Sequence, residues 1–287
     1  MNPLVTTIIP VYNRSGLLRD AVASVVAQTY RPIEIIIVDD GSTDDTPSVI
    51  AQLQAAMPDV IRHITTPNGG PGPAREAGRL LAHGELIQYL DSDDLLLPRK
   101  FEMQVSALQA HPECDIAYGK TKFGWVGQEP LPDPYRRTGE VHATLFPSFL
   151  VSRWWCTQTP LYRRTLTDRI GPWTTLWSEE DWEYDSRAAA LGARLCFCDE
   201  FVSVQRGHQA DRHLSHQSAT NPRKLADRAR AQRLILQHAQ KAGITPGQPE
   251  MQHFARALFL LARQCGAAGL VEQSRRLHGL ARHCGDP

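Results

Sequence analysis

Residues 91–94, Asp-Ser-Asp-Asp, place three carboxylates in four positions at the end of the apolar run 85–90. Like charges this close repel, and none is buried cheaply without a cation or a hydrogen-bond partner. Asp91 and Asp93, at i and i+2 of a tight turn, are spaced so that both can approach one hard cation. Magnesium or manganese takes a few carboxylate oxygens and leaves positions for water and phosphate. An Asx-rich turn capping the next helix is the other reading of the same residues. Tyr12 and Asp40 suit a planar hydrogen-bonding ring, the tyrosine by stacking and the aspartate by accepting from a ring N–H. The glycine-rich turn 68–72 would let backbone approach a phosphate, with Arg75 as a fixed cation beside it. Glu180 and Asp181 open a helical pattern over 178–192, where acids suit the positive end of a helix.

Alternating elements must hold these residues. The β-branched run 4–12 and the nearly continuous apolar run 33–42 read as strands. The second is of the kind covered on both faces in a parallel sheet. Strands are also expected at 60–66 and 85–90. Helices are expected over 14–30, after Ser42 or Thr43 as N-cap, after the glycine-rich turn, and over 98–112. This alternation predicts a doubly wound, mostly parallel α/β sheet. In such sheets ligands bind outside the carboxyl ends of the strands. Tyr12 and Asn13, Asp39 and Asp40, Asn68 to Gly72, and Asp91 to Asp94 all fall at such ends. Beyond residue 115 the pattern loosens: 115–126 reads as a hairpin or edge strand, and 193–206 as a strand pair. Three helices are expected at 222–242, 249–265 and 268–283. The expected division is a catalytic domain over 1–220 and a helical extension over 221–287.

The 287 residues are 42% hydrophobic with zero formal net charge, but the charge is uneven. Residues 1–220 hold 20 Lys and Arg against 27 Asp and Glu; residues 221–287 hold 11 against 4. The acidic part suits a metal or cationic group. The basic tail is either a solvated face or one turned to an anionic surface, with Arg275, Arg276 and Arg282 the candidates for membrane-surface contact. Nucleic acid is a poor fit, because the rim is acidic and the basic tail lacks interleaved aromatics. The six cysteines form no CxxC pair and no zinc spacing, so they read as free thiols in a reducing compartment. No basic, apolar leader and no run of 18 apolar residues is present, so the expected place is the cytoplasm, without a transmembrane segment.

Three blocks together resemble glycosyltransferase family 2 on the GT-A fold: TIIPVYNRSGLLRDAVASVVAQTYRPIEIIIVDDGSTDDT, NGGPGPAREAGRLLAHGELIQYLDSDDLLLP and EEDWEYDSRAAALG. The resemblance spans residues 4–215. It implies a GT-A type nucleotide-diphospho-sugar transferase fold with a C-terminal helical appendage. Pro10, Tyr12, Asn13 and Asp40 match the positions that bind the nucleotide, Arg75 a basic position near the diphosphate, and Asp91-Ser92-Asp93 the DxD motif that carries Mn2+ or Mg2+. Asp181 matches the catalytic base, with Glu180 the rival. His208, in an Arg-x-His segment with His213 and His216 nearby, matches a further metal or phosphate contact. Glu76 stands where the family often has asparagine.

The implied activity is inverting transfer of a sugar from a nucleoside-diphosphate donor, UDP first and dTDP or GDP as alternatives. The acceptor would be a hydroxyl of a glycan or lipid-linked molecule, in cell-surface polysaccharide synthesis. A homo-oligomer and peripheral contact with the inner face of the membrane are compatible with it. Trp155 and Trp173, just before the base, would offer an acceptor sugar a stacking platform, core packing being the alternative. The competing readings are a nucleotidyltransferase and a non-catalytic nucleotide-sugar or carbohydrate-binding protein.

Overall fold

Among the described residues, eight strands form one sheet in the order β3-β2-β1-β4-β7-β6-β8-β5. A computed structural model of the chain describes residues 2–207 and 221–285. It divides into two compact units. The first comprises Met1–Ala143, Trp154–Trp173 and Arg194–Gln209, and the second Thr144–Arg153, Thr174–Ala193 and Ala210–Pro287.

The whole sheet belongs to the first unit. Its parallel half is β1 (Val5–Val11), β2 (Ile33–Asp39), β3 (Ile61–Thr65) and β4 (Leu86–Tyr89). β1, β2 and β4 are buried along their whole length, which is why they read as unbroken apolar runs. Helices α1 (Ser15–Val26), α2 (Thr46–Ala56) and α3 (Pro71–Leu81) connect them. Leu18, Val22 and Val25 of α1 pack with Val5, Ile9, Ile35 and Ile37 in the core. Helix α3 lies on the sheet through Gly78, where an added Cβ would stand 2.4 Å from Ile8 and 3.1 Å from Val38. The start of α2 differs from expectation: its N-cap is Asp45, and Ser42 instead accepts the Asn13 N–H at 3.0 Å.

The second half of the sheet is mixed. After β5 (Leu95–Leu96) and α4 (Lys100–Ala110), β6 (Ile116–Trp125) runs through the sheet interior between β7 (Leu161–Arg163) and β8 (Leu195–Gly207). It is neither a hairpin nor an edge, because its parallel partner β8 arrives some eighty residues later in the chain. The expected strand pair is the single strand β8. It stays in register with β6 through shifts at Gly119–Lys120 and Lys120–Thr121, where an added Cβ on Gly119 would stand 2.7 Å from Val202. The short helix α5 (Arg164–Ile170) follows β7.

The second unit is helical. It contains a 3-10 turn (Ser148–Leu150), α6 (Glu180–Ala190), α7 (Pro222–Lys241), α8 (Pro249–Ala267) and α9 (Val271–Cys284). Asn221 caps α7 by accepting from the Arg223 and Lys224 amides. Helices α6 and α7 are tied by polar contacts: Glu179 accepts from Arg228 at 2.9 Å and from Gln232 at 2.5 Å, and Glu183 meets His238 at 3.1 Å. Met251, Phe254, Leu258 and Leu261 give α8 one apolar face, which is buried. Among the described residues all six cysteines are free thiols. No helix of the described residues is long and apolar enough to cross a membrane.

Candidate active site

In the first unit the carboxyl ends of β1, β2 and β4 bring the sequence-derived residues to one rim of the sheet. Pro10 is buried in β1 opposite Val38. Tyr12 emerges just beyond, 46% exposed, with its ring available for stacking. Asn13 takes a left-handed φ of 51°, a conformation asparagine tolerates better than most residues. Its side-chain oxygen accepts the amides of Thr43 at 2.8 Å and Asp44 at 3.3 Å, which fixes the loop after β2.

Asp40 is buried and accepts the backbone N–H groups of Gly69 at 2.8 Å and Gly70 at 2.9 Å. One carboxylate thus fastens the end of β2 to the glycine-rich turn. Burial raises its pKa, against the two glycine amides that favour the charged form. Gly70 has a φ of 92°, which a side chain would oppose, and it is the residue from which α3 starts.

The three clustered aspartates are each accommodated differently. Asp91 pairs with Arg75 at 2.6 Å. Asp93 pairs with Arg14, which follows β1. Asp94 is fully buried, and its carboxyl is pushed well above the usual range by burial and then by Asp93 and Asp91. One of its oxygens accepts the Arg206 amide at 2.8 Å, which together with the Arg206 charge opposes that shift. The Arg206 side chain donates to the Asp93 carbonyl and, at 2.7 Å, to Asp20, so the end of β8 clamps the acidic turn. Ser92 is buried within that turn. Among the described residues no three His, Cys, Asp or Glu side chains are arranged to hold a metal by themselves.

Arg75 is 3% exposed, and its guanidinium lies 4.8 Å over the Trp173 ring. Glu76, the departure from the family pattern, spends both oxygens on Arg79 at 2.7 and 2.9 Å and accepts the Trp173 amide at 3.3 Å. Trp173 is 6% exposed, edge-on to Tyr89 at 4.9 Å. Trp155 is fully buried against Trp154 at 4.9 Å and Tyr118 at 5.8 Å. The expected stacking platform is therefore corrected: both rings are consumed by packing, and neither offers a face to a sugar.

In the second unit Asp181 and Asp185 lie one turn apart on α6, where like charges destabilise a helix unless a cation intervenes. Arg153 supplies it, donating to Asp181 at 2.7 Å and to Asp185 at 2.9 Å. Asp181 also accepts the Trp182 amide at 2.7 Å. Glu180 is buried at the first position of the helix. Glu179, in a left-handed conformation with φ of 59°, has its pKa raised by burial, with Arg228 and Gln232 opposing the shift.

His208, His213 and His216 lie outside the described residues. Sequence reasoning overlooked Arg14, Arg206, Arg153 and Asp185. The signal for Asp185 was its i+4 spacing from Asp181. For Arg14 it was a cation immediately after the Tyr-Asn pair that ends β1.

The fold agrees with known proteins. The model of the glycosyl transferase family 2 matches residues 6–162. An uncharacterized glycosyltransferase of Nostoc sp. is 32% identical over 239 residues, covering 78% of this chain and 71% of the relative. One from Rickettsia typhi is 40% identical over 115 residues, which is 40% of this chain and 35% of that protein. Among solved structures, S. aureus TarS residues 1–349 in complex with UDP-GlcNAc superposes with a TM-score of 0.68 at 21% identity, over 98% of this chain and 87% of that one. The mannosyltransferase PcManGT of Pyrobaculum calidifontis, in complex with GDP-Man and Mn2+, gives a TM-score of 0.62 at 20% identity, over 98% and 80% of the two chains. Both structures share the GT-A fold with this chain. The family match covers the rim from β1 through the acidic turn to β7, and it sets aside the nucleotidyltransferase reading: the chain belongs to glycosyltransferase family 2.

Proposed function

We propose that the protein transfers a sugar from a nucleoside diphosphate, UDP first among them, to a glycan or lipid-linked hydroxyl with inversion, using Mn2+ or Mg2+. The observation that carries this reading is the tethered rim of the first unit. Exposed Tyr12, buried Asp40 on the glycine amides, and the Arg75–Asp91 and Arg14–Asp93 pairs all cluster at the strand ends. Tyr12 would stack on the base and Asp40 accept from it. Arg75 and the glycine-rich turn would meet the diphosphate.

Asp91 and Asp93 would hold the metal. Their side chains are 30% and 10% exposed, and both are hard oxygen donors. Two carboxylates suit a small divalent ion whose other positions are filled by phosphate oxygens and water, so the donor set fits. When bound, the metal neutralises charge developing on the leaving diphosphate. Asp181 would take the proton from the acceptor hydroxyl as that oxygen attacks the anomeric carbon, and one displacement inverts the centre. Arg153 holds the Asp181 carboxylate in place from within its own unit. Support for a nucleotide-sugar donor also comes from the UDP-GlcNAc and GDP-Man complexes of the similar structures. We place the protein in cell-surface polysaccharide synthesis, in the cytoplasm.

Calorimetric titration with UDP, GDP and dTDP, each with Mn2+ and with EDTA, tests the reading. One nucleotide is expected to bind tightly with metal and measurably more weakly in EDTA. A folded protein that binds none of them would overturn the assignment of the rim.

A further inference from the structure

The C-terminal helices carry an exposed face with no residue of the proposed transfer site on it. Met251, Phe254, Leu258 and Leu261 of α8 face inward, and the opposite stripe is exposed. Along that stripe Arg256, Phe259, Leu260 and Arg263 follow at i, i+3, i+4 and i+7, so they share one side of the helix. Phe259 is 43% exposed and Leu260 57%.

Helix α9 repeats the arrangement. Leu277, Ala281 and Cys284 are buried, while Val271, Arg275, His278 and Arg282 line the exposed side at i, i+4, i+7 and i+11. Phe259 and His278 meet with ring centroids 5.6 Å apart, which joins the two stripes into one surface. The acids of the described residues on these helices are Glu250 and Glu272, and Glu272 is taken by Arg276. The surface thus combines exposed apolar side chains with arginines that make no ion pair among the described residues.

Two copies of this face would bring like charges together in a two-fold contact, which disfavours self-association. An anionic lipid layer complements both components. Apolar side chains enter the headgroup boundary, and guanidinium groups meet lipid phosphates. We propose that the outer face of the α8–α9 hairpin docks on an anionic bilayer surface, with Phe259, Leu260 and Val271 inserted and Arg256, Arg263, Arg275 and Arg282 on the phosphates. The proposal stands independently of the donor and metal assignments.

Flotation of the full chain with vesicles tests it. Phosphatidylglycerol mixed into phosphatidylcholine should carry the protein, pure phosphatidylcholine should not, and raised salt should release it. Arg256→Gln with Arg263→Gln should weaken partitioning roughly thirtyfold. Leu260→Ser should weaken it with the charge unchanged. Arg19→Gln with Arg99→Gln, which removes the same charge outside the hairpin, should leave binding as it was. Thermal melting of each variant establishes that it is folded. The proposal fails if the folded wild-type chain ignores anionic vesicles, binds pure phosphatidylcholine equally, or responds as much to the control pair. It also fails if sizing shows a dimer that Leu260→Ser dissolves, since the face would then belong to a second copy.

Discussion

Arg153 grips Asp181 at 2.7 Å with the same guanidinium that holds Asp185 at 2.9 Å. Asp185 is 1% exposed, so the proposed base is positioned by a cation that is itself anchored on a buried carboxylate. Arg153→Ala removes the guanidinium from that buried acid and should cost about 3–5 kcal/mol of stability. Arg153→Lys keeps the charge but not the fork that serves two partners. It should lower kcat by roughly 10–100-fold with the donor KM unchanged. Steady-state kinetics and thermal melting of both variants check this; an unchanged kcat in the lysine variant would remove the positioning role.

Asp181→Asn tests the base itself. Transfer should fall by about 100–10,000-fold while nucleotide binding, read by calorimetry, stays at the wild-type value. Surviving transfer would move the role to another residue, with Glu180 the next to test.

Asp93→Ala should weaken nucleotide binding at least roughly tenfold in Mn2+, a loss of about 1.4 kcal/mol, and leave binding in EDTA unchanged. Equal loss under both conditions would point to the fold, because Asp93 also pairs with Arg14.

Glu34 lies in β2 and carries a pH signature. Burial works to raise its pKa, but hydrogen bonds from Thr6, the His83 amide, Arg62 and the His83 ring outweigh it, and the pKa ends below the ordinary value. The folded state therefore favours the ionised carboxylate. Its contribution is complete above the unfolded pKa and is lost as pH falls through the lowered folded value. Glu34→Gln should cost about 1–3 kcal/mol at neutral pH, and the gap from wild type should narrow in acid. Denaturant titrations across that range check the sign.

Gly78→Ala places a methyl 2.4 Å from Ile8. Helix α3 would have to lift from β1, and stability should fall by about 1–3 kcal/mol. Arg75 rides on that helix, so a small displacement should also weaken nucleotide binding. Melting and calorimetry on one sample separate the two effects.

The sequence made the rim legible because strands buried on both faces leave long apolar runs, and the polar residues at their ends stand out. It did not show which cation meets which carboxylate. Arg14 and Asp93 are 79 positions apart, and Arg206 and Asp94 are 112 apart, so only the folded sheet brings them together. The place of β6 was hidden for a similar reason: its alternation fits an edge strand, and its parallel partner lies far along the chain. Trp155 and Trp173 misled because an aromatic run gives no sign of which rings are enclosed. That depends on Tyr118, Tyr89 and Arg75, all distant in sequence.

The clasp between Asp40 and the amides of Gly69 and Gly70 has a consequence for the order of assembly. Tyr12, Asn13, the loop after β2 and the glycine turn are joined entirely within the first seventy residues. The acidic turn follows twenty residues later, and its clamp, Arg206, more than a hundred after that. Chains emerge from the ribosome N-terminus first. The Tyr12 side of the rim can thus close on itself while the chain is still growing, and the acidic side waits for the last strand of the sheet.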